Sequence, residues 1–283
     1  REIFEKTRIF FIYLVLGFIF YFILFDFSEG ALDKYLMFSI VPLAVIAGSV
    51  IASVFNDNRG SKKITGIIIG MLGSVLIISL AFLPHNVPPL YPKSLFVSSV
   101  FHFKWNILFP FTGGSGPVGF YMSFIFIACS FILSLVIGVA AFFKKEWKYH
   151  AVIAICMISF TYNAIFVEEF LFGRLYGSAP IVLNESIDFI RNSPEIKRIA
   201  TYNDIGGYEL HRMNKFGFRF YAVPGNEEGH KAKFAAFEGH YLVIDMPRLN
   251  SDSFYGQFFS KCASVFESKS GVIKGNVYTC PIT

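Results

Sequence analysis

Five long stretches without a charged side chain constrain this 283-residue chain more than any other feature of its sequence. They run over residues 9–25, 35–56, 64–92, 105–143 and 149–167. A helix needs about 20 mostly apolar residues to cross a bilayer. Proline interrupts the third stretch after Leu83, and a glycine-rich segment, 111–117, opens the fourth. The pattern predicts about five transmembrane helices, near residues 8–25, 35–55, 64–83, 118–143 and 151–168.

Charge is distributed unevenly along the chain and separates two regions. Residues 1–173 carry 12 Lys and Arg and 9 Asp and Glu, whereas the remaining 110 residues carry 13 and 11. The whole chain is only 16% charged, against about 25% in ordinary soluble domains. We therefore expect a multi-pass α-helical membrane domain over residues 1–173, followed by a small α/β domain over residues 174–283. This composition excludes a disordered chain.

Basic side chains alternate between the predicted connections and indicate an orientation. The N-terminal flank, the second connection and the fourth connection are rich in Lys and Arg, and the first and third are poor in them. Cytoplasmic loops carry the excess of Lys and Arg. We therefore expect a cytoplasmic N-terminus and an extracytoplasmic domain from residue 174 onward, in a plasma or inner membrane. The net charge of +5 suits anionic headgroups, so no nucleic-acid partner is implied.

The C-terminal region has the alternating pattern of a small α/β domain. A helix is predicted at 185–191, strands at 198–202, 216–221, 240–245 and 277–279, and a further helix from Phe254 to Phe266. In the second strand Phe216, Phe218 and Phe220 alternate with other residues, which predicts one half-buried face. The order predicts a sheet of three or four strands with helices packed on it.

Two cysteines, Cys262 and Cys280, lie in this C-terminal domain. An oxidising compartment would permit a disulfide between them. Two buried thiols are the alternative.

Acidic residues in the first extracytoplasmic connection are candidates for a cation site. Asp26, Glu29 and Asp33 could bind a divalent cation, or could form the solvated cap of two helices. No other metal-ligand pattern and no strong catalytic motif is present in the sequence.

Cations next to aromatic residues are the candidate substrate-binding groups. Lys34 and Tyr35 begin the second predicted span, where a cation at headgroup depth can hold a lipid phosphate. The third connection, 85–117, carries His102, Lys104 and Trp105, which suit a sugar and its phosphate. An interfacial anchor and an aromatic belt are the respective structural alternatives. Residues 94–103 are predicted to form an amphipathic or re-entrant element in the membrane interface.

A short segment resembles a known enzyme family. Residues 33–48, Asp-Lys-Tyr-Leu-Met-Phe-Ser-Ile-Val-Pro-Leu-Ala-Val-Ile-Ala-Gly, resemble a span of the GT-C superfamily of polytopic glycosyltransferases, related to protein O-mannosyltransferases and aminoarabinose transferases. Their C-terminal domains are likewise similar to the α/β domain expected here. The resemblance implies that a sugar is transferred from a polyprenyl phosphate to an acceptor glycan, lipid or protein on the extracytoplasmic face. It places the donor phosphate near Lys34, with His102 or Lys104 as further contacts.

The sequence also departs from that family. The family usually has Arg at the position of Lys34. Arg can contact a phosphate through two hydrogen bonds, whereas Lys provides only a point charge. The chain begins at Arg1, and we expect a C-terminal portion whose catalytic acidic residue lies upstream, so the catalytic residues stay unknown. The alternative is a non-enzymatic, membrane-anchored protein whose extracytoplasmic domain binds a ligand or partner. A transporter is disfavoured, because the predicted spans lack ionisable residues near their centres.

Overall fold

A computed structural model describes residues 2–24, 38–57, 63–89, 92–111, 119–222 and 225–281. The first part of the described chain contains α1 (Glu2–Leu24), α2 (Ile40–Asp57), α3 (Lys63–Ala81), α4 (Lys93–Phe101), β1 (Leu108–Phe111), β2 (Phe120–Ser123), α5 (Phe124–Phe143) and α6 (Lys148–Phe172). The remainder contains α7 (Ala179–Asn192), β3 (Ile199–Tyr202), α8 (Gly207–Arg212), β4 (Phe216–Phe220), α9 (Glu227–Ala235), β5 (His240–Ile244), α10 (Phe254–Phe259), β6 (Ala263–Ser270) and β7 (Ile273–Thr279).

Three of these helices are long and apolar enough to cross a membrane. They are α3, over Ile64–Ala81, and the whole of α5 and α6. The apolar stretches of α1 and α2, Thr7–Tyr21 and Ile40–Phe55, are also helical but shorter. Large apolar side chains remain exposed along the long helices, as lipid contact would require. The chain thus has the features of a multi-pass membrane protein with a C-terminal α/β domain.

One predicted span boundary differs from the helix that the structure shows. The fourth helix begins at Phe124 rather than 118, because Phe120–Ser123 pairs with Leu108–Phe111 as an antiparallel hairpin. Ser123 then starts α5, since its hydroxyl accepts the N–H of Phe126 at 3.2 Å. The fifth helix, Lys148–Phe172, contains the predicted span 151–168 and continues beyond it through Glu169.

The chain divides into two compact units, and α3, α5 and α6 contribute residues to both. One unit comprises Arg1–Gly73 and Ser134–Ile158, and the other comprises Ser74–Leu133 and Ser159–Thr283. In the first unit, small residues let helices approach closely. A Cβ on Gly66 would lie 2.9 Å from the carbonyl oxygen of His150, and one on Gly70 would lie 2.7 Å from the sulfur of Met157. Glycines on α3 therefore allow the first part of α6 to pack closely against α3, as is common between transmembrane helices.

The C-terminal domain contains a mixed five-stranded sheet in the order β4-β3-β5-β7-β6. Strand β3 is parallel to β4 and β5, and β7 is antiparallel to β5 and β6. Leu242 of β5 lies beside Gly206 at the start of α8, whereas the preceding residue, Tyr241, packs on Phe234 of α9. Successive side chains of a strand point to opposite faces. Helices α8 and α9 therefore cover opposite faces of the sheet.

The predicted helix from Phe254 to Phe266 was wrong in its second half, and the sheet has five strands rather than three or four. Helix α10 ends at Phe259, and Ala263–Ser270 forms β6 instead. The disulfide between Cys262 and Cys280 fixes the start of β6 beside the end of β7. Long-range pairing of this kind overrides a helical spacing of apolar residues.

Strand β4 contains an irregularity that the alternating phenylalanines did not predict. Ile199 of β3 pairs with Phe216 of β4, and Thr201 pairs with Arg219, so β4 has one residue more than β3 over this stretch. Such an extra residue is a β-bulge. The ring of Phe216 stacks on His211 of α8, with ring centres 3.9 Å apart. The rings of Phe218 and Phe220 instead pack against Phe234 of α9. The bulge therefore sends Phe216 to the opposite face from the other two rings.

Candidate functional site

The two candidate binding residues at the start of the second predicted span, Lys34 and Tyr35, lie outside the described residues. So do the acidic residues proposed for a divalent cation, Asp26, Glu29 and Asp33. Within the described ranges, no group of three or more His, Cys, Asp or Glu side chains is placed to hold a metal ion.

The other three candidate residues lie together just after α4, in residues 102–105, which we call the α4 terminus. The Nδ1 atom of His102 lies 2.8 Å from the carbonyl oxygen of Ser98. A carbonyl only accepts hydrogen bonds, so Nδ1 carries the proton and Nε2 is left to face the surroundings. The indole N–H of Trp105 donates to the carbonyl of Val100 at 2.9 Å. Both side chains therefore satisfy carbonyl groups at the end of the helix.

These contacts divide the roles of the three residues. Trp105 has used its only donor, and its ring packs edge-on against Phe124 at the start of α5. Lys104 is exposed, and no ion pair of its side chain occurs among the described residues. Nε2 of the neutral His102 ring is an acceptor, so His102 can donate to an anion only when its imidazole is protonated. We conclude that Trp105 positions the segment, that Lys104 is the group able to meet an anion, and that His102 can join it only in the imidazolium form.

Apolar side chains surround the α4 terminus and face outward. Phe101 is 77% exposed and Phe103 is 80% exposed. Leu95 and Val97 are also exposed on α4. Residues 94–103, predicted as an amphipathic or re-entrant interfacial element, form the helix Lys93–Phe101 and the turn that follows it. Their place in the membrane interface stays a prediction.

Hydrogen bonds join the segment around α4 to the C-terminal domain within the second compact unit. The hydroxyl of Tyr121 in β2 donates to the carbonyl of Asp245 at 3.3 Å, and Arg248 donates to the carbonyl of Val87 at 3.2 Å. Asp245 follows β5 directly, and its carboxylate accepts the N–H of Leu249 at 2.8 Å. Burial raises the pKa of Asp245 above its usual 3.8, although that N–H and nearby cations oppose the shift. This carboxyl is structural, because its contacts hold the turn after β5.

A second candidate site is an open cleft of about 740 Å³ beside the edge strand β4, which we call the β4 cleft. It is lined by Asp204, Gly207, Tyr208, His211, Phe216, Gly217, Phe218, Arg219, Tyr221, His230 and Lys233. These residues come from the loop after β3, from α8, from β4 and from α9. The bulge in β4 places aromatic rings on both sides of the strand, so the cleft has aromatic walls.

A hydrogen-bonded triad stands at one wall of the β4 cleft. Arg219 donates to Oδ1 of Asp204 at 2.6 Å, and the hydroxyl of Tyr221 donates to Oδ2 of the same carboxylate at 3.3 Å. Burial first, and then the charge of Asp204, raises the pKa of Tyr221, so its hydroxyl stays protonated at neutral pH. The bond to Oδ1 of Asp204 engages one of the five N–H donors of Arg219, so the guanidinium can also donate to a ligand.

Cationic and imidazole groups line the other wall. Within the described residues, Lys233 has no carboxylate within ion-pair distance. Nδ1 of His230 lies 2.7 Å from the hydroxyl oxygen of Tyr255, whose pKa is raised to about 12 by burial. Burial and then the charge of Lys233 lower the pKa of His230, so this imidazole is neutral at pH 7. The cleft therefore presents one uncompensated positive charge.

Sequence reasoning missed the β4 cleft, although its signals were present. Asn203-Asp204 follows a predicted strand, and Gly206-Gly207 comes directly after it. Polar residues and glycines at the carboxyl end of a parallel strand are typical of ligand sites. The spacing of apolar residues does not show that β3 pairs in parallel with its neighbours. The loop after β3 could therefore not be recognised from the sequence as the carboxyl end of a parallel strand.

No family model matches this chain, and neither curated proteins nor solved structures provide a match. Functional inference therefore rests on the chain's own residues.

Proposed function

We propose that the chain works in a membrane glycosyltransferase that moves a sugar from a polyprenyl-phosphate donor to an acceptor on the extracytoplasmic face. In this proposal α1 and α2 cross the bilayer together with the three longer helices, the N-terminus is cytoplasmic, and residues 174–283 are extracytoplasmic. The alternation of Lys and Arg between the connections supports this orientation. The resemblance of residues 33–48 to a GT-C span supports the reaction class.

The observation that carries the proposal is the surface chemistry of the α4 terminus. A polyprenyl phosphate has a long apolar tail that ends in an anion. The exposed rings of Phe101 and Phe103 lie next to exposed Lys104 and to His102, whose Nε2 can donate to a phosphate when the imidazole is protonated. Apolar groups that face lipid beside cations at headgroup depth match both parts of such a donor.

The position of the C-terminal domain supports an acceptor role for it. The same compact unit contains α4 and the whole α/β domain. The bonds of Tyr121 and Arg248 join the turn after β5 to β2, which follows α4, and to Val87, which precedes α4. An acceptor bound by this domain would thus be held within the same compact unit that meets the donor, which lowers the entropic cost of bringing the two together.

Binding of radiolabelled polyprenyl phosphate to the full chain in lipid-containing micelles tests the donor site. We expect saturable binding that excess unlabelled polyprenyl phosphate displaces and that polyprenol, which lacks the phosphate, does not. Lys104→Ala should weaken binding about fivefold, the effect of one Lys near an anionic headgroup. His102→Ala should weaken it less, because Nε2 of His102 can donate to the phosphate only when the imidazole is protonated.

Lys144→Ala is the matched control, because Lys144 also lies beside a tryptophan, with its Nζ 5.6 Å from the ring centre of Trp147. It follows the opposite end of α5, so its replacement should leave donor binding unchanged. Equal losses in the Lys104 and Lys144 variants, or equal displacement by polyprenol, would show that binding is non-specific and would refute the donor site.

The β4 cleft favours a second candidate function, a membrane-anchored protein whose α/β domain binds a ligand without transferring a sugar. Saturable ligand binding by this cleft, together with no specific binding of polyprenyl phosphate, would support that candidate over the first.

A further inference from the structure

We propose that the β4 cleft binds a sugar that carries one anionic group, a phosphate or a carboxylate, with Lys233 as the anion-binding residue and Tyr208 as a stacking platform. This inference holds whether or not the chain transfers sugars, since it concerns binding by the α/β domain alone.

The topology of the sheet places the cleft where α/β domains bind ligands. Neighbouring parallel strands β3 and β4 lead into α8 and α9, which lie on opposite faces of the sheet. The loops after these two strands therefore diverge and open a crevice at their carboxyl ends. Asp204 comes from the first loop and Tyr221 from the second, so the cleft lies at this divergence.

The walls of the cleft suit a sugar ring. Tyr208 is 78% exposed, so its ring is open to a ligand in the cleft. Flat aromatic faces pack against the C–H groups of a pyranose. The triad of Asp204, Arg219 and Tyr221 offers carboxylate lone pairs and free guanidinium N–H groups to hydroxyls. Ligand clefts commonly combine apolar walls with a few fixed polar groups in this way.

The charge of the cleft suits one anion. Arg219 is already paired with Asp204, which leaves Lys233 uncompensated among the described residues. The two acidic residues of α9 itself are Glu227, whose charge acts on Tyr255, and Glu228, which pairs with Lys231. A neutral sugar would leave the ammonium of Lys233 unused, and a polyanion would meet the carboxylate of Asp204. A single phosphate or carboxylate fits this balance.

Calorimetric titration of the full chain in detergent tests the proposal. The probes are the 1-phosphates of glucose, galactose and mannose, together with galacturonic acid, and the references are free glucose and inorganic phosphate. We expect at least one anionic sugar to bind at least about tenfold more tightly than both references. Binding of inorganic phosphate as tight as the best sugar would reduce the cleft to an anion site, and binding of free glucose as tight would remove the role of the cation. Either result, or no binding by any probe, would overturn the proposal.

Variants then place the ligand in the cleft. Lys233→Met should weaken binding of the best anionic sugar about 10- to 100-fold, the range for a hydrogen bond to a charged group. Tyr208→Ala should weaken it about 2- to 10-fold, as expected for the loss of one aromatic contact. Lys231→Met is the matched control on the same helix, because Lys231 pairs with Glu228 and does not line the cleft, and it should leave binding unchanged. Equal effects of the two lysine variants would refute the assignment.

The outcome is separable from that of the donor site. Lys233→Met should weaken binding of the anionic sugar and leave polyprenyl-phosphate binding unchanged. Lys104→Ala should weaken polyprenyl-phosphate binding, so each test can fail without the other.

Discussion

The link between α6 and the C-terminal domain depends on one buried carboxylate, that of Glu169. This residue is 1% exposed. Its two oxygens accept the backbone N–H groups of Leu175 and Tyr176, at 2.8 and 3.0 Å. The N–H groups belong to the turn that leads from α6 into α7, so the carboxylate ties this turn to the helix end. We predict that replacing Glu169 loosens the turn.

The size of the effect follows from the number of donors that lose their acceptor. Glu169→Leu leaves both N–H groups without a partner, and each buried unpaired group costs about 1–3 kcal/mol. The expected loss is therefore about 2–6 kcal/mol for the local structure. Glu169→Gln keeps one carbonyl oxygen, so about half of that loss is expected. The neighbouring variant Glu168→Gln only removes an ion pair with Arg174 at 3.6 Å, which is worth less than about 1 kcal/mol because it is largely solvated.

Amide hydrogen exchange of the full chain in detergent, read by mass spectrometry on peptides that cover residues 173–178, measures this loss directly. Each factor of ten in exchange rate corresponds to about 1.4 kcal/mol. We expect at least about a 30-fold increase for Glu169→Leu, a smaller one for Glu169→Gln and almost none for Glu168→Gln. Exchange in the Glu169→Leu variant that equals that of the Glu168→Gln control would refute the argument that the carboxylate holds the turn.

Three further predictions concern the C-terminal domain and can be read by exchange or thermal melting of the full chain. Gly271→Ala should destabilise the β6–β7 turn by more than about 1 kcal/mol, because the φ of Gly271 is +56° and a Cβ there would overlap a backbone carbonyl. The control Gly229→Ala should instead stabilise α9 by about 0.5–1 kcal/mol, because a Cβ at Gly229 would meet no neighbouring atom. Cys262→Ser should cost about 3 kcal/mol, since it opens a loop closed over a separation of 18 residues, and an unchanged melting temperature would contradict this. The pKa of His230 is lowered from 6.5 in the folded state, so the unfolded chain binds its proton first and stability should fall as pH drops below about 6.5. The variant His230→Gln should lose that part of the pH dependence, and a melting temperature that rises on acidification only in the wild type would contradict the sign.

The helices of the first part of the chain could be predicted because their signal is local. Uncharged stretches of sufficient length appear in the sequence itself, and each one contains a helix in the described residues. The fourth helix begins later than residue 118 for a non-local reason, because Phe120–Ser123 pairs with the separate strand Leu108–Phe111. The role of Glu169 is likewise non-local, because its carboxylate accepts N–H groups from the turn after α6.

The C-terminal sheet shows the same division between local and long-range signals. The strands at 199–202 and 240–244 were predicted from runs of apolar residues. Strand β6 was not, because the spacing from Phe254 to Phe266 also fits a helix and only pairing with β7 decides between the two. Of the candidate site, the grouping at the α4 terminus was predictable from residues 102–105. The β4 cleft was not, because it depends on a bulge and on which strands are parallel.

Photo-cross-linking tests the central claim, that the α4 terminus meets a polyprenyl-phosphate donor, most directly. The full chain in lipid nanodiscs is irradiated with a polyprenyl phosphate that carries a photoreactive group near its phosphate, and the labelled peptides are mapped by mass spectrometry. We predict that label concentrates in residues 92–111 and that excess polyprenyl phosphate, but not polyprenol, removes it. Label spread evenly over the lipid-facing surfaces of α3, α5 and α6, or concentrated at residues 144–148, would contradict the account.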